Sequence, residues 1–211
     1  MDEVRLPPGR GERMAARVDR TLASAGVGDE VRGRVARAHQ AAMALRDRAM
    51  AGGVLADDHD ARYLHPGRTL LVYLEFAAGA DPAVPPADMA QLLPVAPLLD
   101  SRWPELVGAG GDDADGPARE AATALNRILA RAPDPDRWLE GVLGEGEATS
   151  CLALAEAFDH VRHLHLEPAG PARTAWVELA RDALVPLAHR LGGLPARRLD
   201  WWWVRVGPTL I

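Results

Sequence analysis

The sequence predicts an all-α fold. Apolar residues recur at three- and four-residue spacing along most of its 211 residues, and glycines and prolines divide the chain into segments of helical length. Only residues 201–206, Trp-Trp-Trp-Val-Arg-Val, alternate as a strand can, and a short helix suits them as well. We therefore expect one bundle of about eight helices.

The first two helices are indicated by apolar stripes. Residues 12–25 carry an apolar side chain at every fourth position and are followed by Gly26, a typical helix stop. Asp29 can cap a second helix that runs to about Met50. His39 lies on this second helix beside small residues, and we interpret it as a core or partner-facing residue rather than a ligand.

A His-Pro pair predicts the start of the third helix. The residue before a proline avoids the α conformation, whereas proline itself is favoured in the first helical turn. His65 should therefore lie at the start of a helix that holds Pro66 in its first turn and stops near Gly79. An imidazole is then fixed at the N-terminus of an apolar helix.

The fourth helix is predicted to be kinked or broken. It can begin at Asp88 and leads to Asp100, but Pro94 and Pro97 interrupt it. The remaining helices are predicted over residues 117–132, 138–143, 151–166 and 173–191.

Composition limits the possible functions. The formal charge of -6 argues against a broad nucleic-acid-binding surface, and the absence of lysine leaves no side-chain amine for Schiff-base chemistry. The single Cys151 excludes an intramolecular disulfide or a cysteine-based zinc cluster. Without an apolar signal or membrane span, we expect a soluble cytoplasmic protein with no membrane partner.

Three acidic or imidazole residues stand out as candidate metal ligands. His65, Asp100 and Glu156 fall on three different predicted helices or their ends. Helical folds build inward-facing metal sites from such scattered ligands, and a donor set rich in oxygen favours a mid-row divalent ion over zinc. The alternative is three unrelated polar residues.

The last candidate ligand is on the same helix as Glu156. His160 lies four residues after Glu156, and His163 lies seven residues after Glu156, so all three are on one face of the helix. His160 can therefore supply an imidazole beside Glu156, or it can be a surface or inter-helix histidine.

Five segments are similar to the motifs of one known family. Residues 63–66, Tyr-Leu-His-Pro, are similar to Tyr-Ile-x-His-Pro, and residues 98–101, Leu-Leu-Asp-Ser, to Leu-Leu-His-Asp-Thr. Residues 154–162, Leu-Ala-Glu-Ala-Phe-Asp-His-Val-Arg, are similar to Leu-Ala-Asp-Arg-Leu-His-Asn-Met-Arg. Residues 186–192, Pro-Leu-Ala-His-Arg-Leu-Gly, resemble Ala-Pro-Leu-Ala-x-Arg-Leu-Gly, and residues 39–40, His-Gln, resemble part of Ala-His-x-Gly-Gln. In these segments the chain resembles the HD-domain family of alarmone (ppGpp) hydrolases, the hydrolase half of RelA/SpoT-type stringent-response proteins.

The resemblance implies an HD-domain bundle over about residues 30–195, with manganese as the usual ion. It implies His65, Asp100 and Glu156 as ligands, while Leu99 stands where the family has the histidine of its His-Asp pair. His160 is the candidate replacement for that imidazole.

The same resemblance indicates a degenerate catalytic site. The family's Glu-Asp pair, which activates water, falls on Trp103 and Pro104, and neither can accept a proton. Glu105 is the remaining candidate base. We therefore expect a non-catalytic regulatory or partner-binding module. The alternative is a remodelled manganese-dependent pyrophosphohydrolase that acts on (p)ppGpp or a related nucleotide.

The expected organisation has three parts. An N-terminal helix over residues 1–28 precedes the HD-like domain over 29–195, and a tryptophan-rich segment over 196–211 packs on that domain. Trp201, Trp202 and Trp203 are the candidate surface for a partner or a homodimer, because three adjacent tryptophans cannot all face one core.

Overall fold

The computed structural model describes residues 9–52, 64–102, 116–130 and 134–210. Nine helices and no strand lie in these ranges, which confirms the all-α prediction. They are α1 Arg10–Ser24, α2 Asp29–Ala51, α3 His65–Gly79, α4 Pro86–Leu92, α5 Gly116–Leu129, α6 Pro135–Gly144, α7 Glu147–Val161, α8 Pro171–Leu179 continuing to Val185–Leu191, and α9 Gly193–Arg205.

Helices α3 and α7 form the centre of the bundle. They make the most extensive helix–helix contact, and every residue of α7 from Ser150 to Val161 is buried. Helices α1, α2, α8 and α9 pack around this pair. Because α7 is buried on all sides, any charged residue on it must find its partners inside the protein.

A glycine lets α1 approach the first turn of α3. A Cβ atom at Gly67 would lie 2.3 Å from Met14 Cγ and 3.1 Å from His39 Nε2. Only a residue without a side chain allows this close packing. The contact fixes the turn that carries His65.

The predicted break before Asp100 is confirmed. Helix α4 ends at Leu92, and a separate 3₁₀ turn, Ala96–Leu98, contains Pro97. Leu99 then adopts an extended conformation, with φ -81° and ψ 140°. The chain therefore delivers Asp100 to the interior from an irregular segment rather than from a helix.

Three local predictions need correction. Gly28, not Asp29, is the N-cap of α2, because the Asp29 carboxylate pairs with Arg32 at 2.8 Å instead of bonding the helix terminus. Helix α7 already begins at Glu147 and ends at Val161, with a separate 3₁₀ turn at Leu164–Leu166. Helix α8 contains a π-helical turn, Ala180–Leu184, that no apolar spacing indicated.

The tryptophan-rich segment is helical and belongs to α9, which spans the boundary drawn at residue 195. Trp202 is buried, Trp203 is half-buried and Trp201 is 62% exposed. A surface built on this segment would therefore present Trp201. None of the helices in the described ranges has the length and apolar character needed to cross a bilayer.

Candidate metal centre

Four side chains meet in the interior between α3, α7 and the segment after α4. They are His65, Asp100, Glu156 and His160, and one ligand atom from each lies within 4.8 Å of the others. Each residue is at most 7% exposed. The three residues predicted from their spacing and the added imidazole therefore form one buried cluster that can hold a metal ion.

Glu156 is anchored by the segment that carries Asp100. The Ser101 backbone N–H donates to Glu156 Oε1 at 2.7 Å, and the Ser101 hydroxyl donates to Oε2 at 3.0 Å. The Asp100 backbone N–H donates to Asn126 Oδ1 on α5 at 3.2 Å. These bonds hold the irregular segment against α5 and α7, so two carboxylates from distant parts of the chain face each other.

His65 is oriented by a carboxylate on its far side. Its Nδ1 lies 2.7 Å from Asp159 Oδ2, while its Nε2 lies 3.7 Å from Glu156 Oε1. Burial, together with the charge of His160, lowers the pKa of His65, so the imidazole is neutral. The proton then resides on Nδ1, where it is donated to Asp159, and the Nε2 lone pair faces the cluster. Metal-binding histidines are commonly oriented in this way.

Asp159 is itself held by two arginines. Arg68 Nε donates to it at 3.0 Å, and Arg162 also pairs with it. Burial alone would raise the pKa of Asp159, but the hydrogen bond to His65 and the two guanidinium charges outweigh burial and hold the pKa well below its usual range. Asp159 is therefore a permanent anion next to His65.

His160 occupies the position of an added imidazole ligand. Its ring stacks on His65 with centroids 4.3 Å apart, and its Nε2 lies 2.9 Å from Glu156 Oε1 and 3.6 Å from Asp100 Oδ1. Although burial opposes protonation, the neighbouring carboxylates outweigh it and raise the pKa of His160. A proton on His160 and a metal ion are therefore competing sources of positive charge in this cluster.

Arg46 and Asp159 are the two neighbours that sequence reasoning missed. Arg46 on α2 is 2% exposed and donates to Asp100 Oδ2 at 2.5 Å. The one available signal was an arginine on the apolar face of α2, one residue after Leu45, which is itself buried. Asp159 was part of the motif that resembles the alarmone hydrolases, but its spacing gave it no role.

The other singled-out residues lie outside the cluster or outside the described ranges. His39 is buried, as the core interpretation predicted, and burial with the charge of Arg46 lowers its pKa to about 4. His163 is half-buried and donates from Nδ1 to the Asp159 carbonyl at 2.6 Å. Glu105, with Trp103 and Pro104, lies outside the described residues.

The donor set suits a divalent ion. Two imidazole nitrogens and two carboxylates match mid-row transition metals, and the second hydrogen bond of His65 supports ligation. Comparison with protein-family models, curated proteins and solved structures found no match to this chain.

Proposed function

We propose that this chain is an HD-domain-like module that binds a divalent metal ion, with manganese as the first candidate, and uses it for structure or regulation rather than catalysis. The observation that carries the proposal is the buried cluster of His65, Asp100, Glu156 and His160, in which Asp159 turns the Nε2 of His65 inward. The order of the motifs along the chain supports the family assignment.

The closed surroundings of the cluster favour a non-catalytic role. All four candidate ligands come from the protein and are at least nine-tenths buried. The ring of Trp176 on α8 lies 5.1 Å from the ring of His160. Structural metal sites are closed by protein ligands, whereas catalytic sites keep a coordination position for water or substrate. The replacement of the family's Glu-Asp pair by Trp103 and Pro104 agrees with this role.

A bound ion would join three parts of the fold. His65 would hold it from α3, Asp100 from the segment after α4, and Glu156 with His160 from α7. When bound, the ion supplies positive charge to two buried carboxylates. Its binding free energy would then stabilise the native state directly.

The test is manganese titration of metal-stripped protein, followed by calorimetry and thermal unfolding. At a hundredfold excess over the dissociation constant, binding should add about 2.7 kcal/mol and raise Tm by about 5–10 °C. Glu156→Gln keeps the shape of the side chain and should abolish the shift. His189→Ala is the matched control, because His189 is an exposed histidine outside the cluster. A wild type without a shift, or a shift retained in Glu156→Gln, refutes the metal centre.

A second candidate function is a remodelled manganese-dependent pyrophosphohydrolase acting on (p)ppGpp or a related nucleotide. It is favoured by the position of His160, which restores the imidazole that Leu99 does not supply. In such an enzyme the ion would activate water and stabilise charge on the leaving phosphate. We expect no pyrophosphate release from ppGpp by the manganese-loaded protein. Release that disappears in Glu156→Gln would establish this second function and refute the non-catalytic one.

A further inference from the structure

A basic pocket is lined by the arginines that hold Asp159, the carboxylate that contacts His65 of the metal cluster. It has a volume of about 270 Å³, and four arginines from four different helices line it. These are Arg17 on α1, Arg68 on α3, Arg162 at the end of α7 and Arg198 on α9. Convergence of four guanidinium groups is notable in a chain whose formal charge is -6.

Among the described residues, the pocket carries more positive than negative side chains. Glu75 is the only carboxylate among the described residues that line it, and it pairs with Arg198 at 2.9 Å. Asp159, behind the pocket, pairs with Arg68 and Arg162. Four guanidinium groups thus face two carboxylates. Such an excess in one concave site concentrates anions there.

Arg162 has one buried donor with no acceptor among the described residues. Its Nε is shielded from solvent and has no hydrogen-bond partner within the described part of the chain. An unpaired buried donor normally costs about 1–3 kcal/mol. The apolar wall of the pocket includes Phe76 and Phe158, whose rings are tilted by 37° with centroids 5.7 Å apart.

We infer that this pocket binds a small phosphate-class oxyanion, either inorganic phosphate or the phosphoryl group of a small metabolite. Guanidinium groups bind phosphate oxygens through paired, charge-assisted hydrogen bonds, and arginine is the residue best suited to this geometry. The pocket is at the small end of ligand-binding cavities, so it suits a single phosphoryl group rather than a whole nucleotide. The pocket shares Arg68 and Arg162 with the surroundings of Asp159, but anion binding there requires neither a bound metal ion nor the function proposed above.

The variants that test this site must leave the metal cluster intact. Arg68 and Arg162 hold Asp159, which orients His65, so their replacement would disturb both sites. Arg17 and Arg198 are exposed, and neither belongs to the metal cluster. Arg17→Gln and Arg198→Gln are therefore the informative changes. Arg20→Gln is the matched control, because Arg20 is exposed on the same helix but does not line the pocket.

The experiment is calorimetric titration of the full chain with inorganic phosphate. The buffer is treated with chelator, and chloride is added so that the ionic strength stays constant. We expect saturable binding and a rise in Tm for wild type and Arg20→Gln. Binding should be roughly tenfold or more weaker in Arg17→Gln and in Arg198→Gln, since each loses one charge-assisted donor.

Two outcomes would overturn the inference. The first is no binding of phosphate beyond the effect of matched chloride. The second is equal affinity in wild type and both variants. Titration with pyrophosphate as a second arm shows whether the pocket accepts one phosphoryl group or two. Since all measurements use metal-free protein, their failure is distinct from failure of the metal centre.

Discussion

Replacing Asp159 with asparagine tests how the metal centre is oriented. The amide oxygen can still accept the Nδ1–H hydrogen bond of His65, which is 2.7 Å long in the native protein, but the negative charge is removed. Asp200→Asn is the matched control. The Asp200 carboxylate also lies 2.7 Å from a histidine, Nε2 of His189, but both side chains are about half exposed. The two carboxylates differ in burial, and Asp159 also pairs with Arg68 and Arg162.

The expected cost follows from the partners of each carboxylate. Removing one partner of a buried ion pair costs about 3–5 kcal/mol, whereas an exposed pair contributes about 0–1 kcal/mol. Arg68 and Arg162 keep 15% and 27% exposure, so part of their charge can be solvated after the change. We therefore expect about 3 kcal/mol of lost stability for Asp159→Asn and under about 1 kcal/mol for Asp200→Asn.

The pH dependence gives an independent readout. Because the folded-state pKa of Asp159 is lowered, its stabilising contribution is present above the ordinary pKa of about 4 and is lost as the pH falls further. The stability difference between wild type and Asp159→Asn, measured by urea unfolding, should therefore narrow below about pH 4. Manganese affinity should fall about 10- to 100-fold in the same variant and stay unchanged in Asp200→Asn. Equal losses in both variants would refute the argument.

Three further predictions concern single side chains. Burial and the charge of Arg46 lower the pKa of His39 from 6.5 to about 4, so the native state loses stability as the pH falls from 6.5 to 4. Over this pH range, wild type should lose about 3 kcal/mol more stability than His39→Leu, measured by urea unfolding. Manganese affinity should fall about tenfold per pH unit below the pKa of His160, because the proton must leave before the imidazole can bind; a flat calorimetric profile would exclude His160 as a ligand. Trp202→Ala should cost about 3–5 kcal/mol and Trp201→Ala under about 0.5 kcal/mol, measured by urea unfolding, because only Trp202 is buried.

The helices were predictable because their signals are local. Gly26 follows the predicted first helix, the His-Pro pair begins α3, and Pro94 with Pro97 breaks the segment before Asp100. Each signal acts through the conformations allowed to one or two residues, so it can be recognised without knowledge of the tertiary contacts. The π-helical turn in α8 was not predictable, because its apolar spacing differs little from that of a continuous α-helix.

The candidate ligands were predictable for a different reason. His65, Asp100 and Glu156 were singled out because they lie on three different predicted helices or their ends and within the segments on which the predicted resemblance rests, whereas their neighbours follow from packing alone. Arg46 meets Asp100 across 54 residues of sequence, and Asp159 meets His65 across 94. Arg46 has one local signal, its place on the apolar face of α2, and no local pattern distinguishes Asp159 from a solvated aspartate. These residues matter because they are buried. Their burial follows from the tertiary structure, in which α7 is enclosed on all sides.

The charges around the cluster explain how the fold can keep two carboxylates buried. Asp100 and Glu156 bring two negative charges into the interior, and Arg46 supplies a positive charge to Asp100. The charge of Glu156 can be balanced by a proton on His160 or by a metal ion. The two exclude each other at His160, because a ring nitrogen that carries a proton cannot bind a metal ion. His160 therefore lets the protein keep its carboxylates buried without an ion. We expect any metal binding at this cluster to depend on pH, which agrees with the proposed regulatory role.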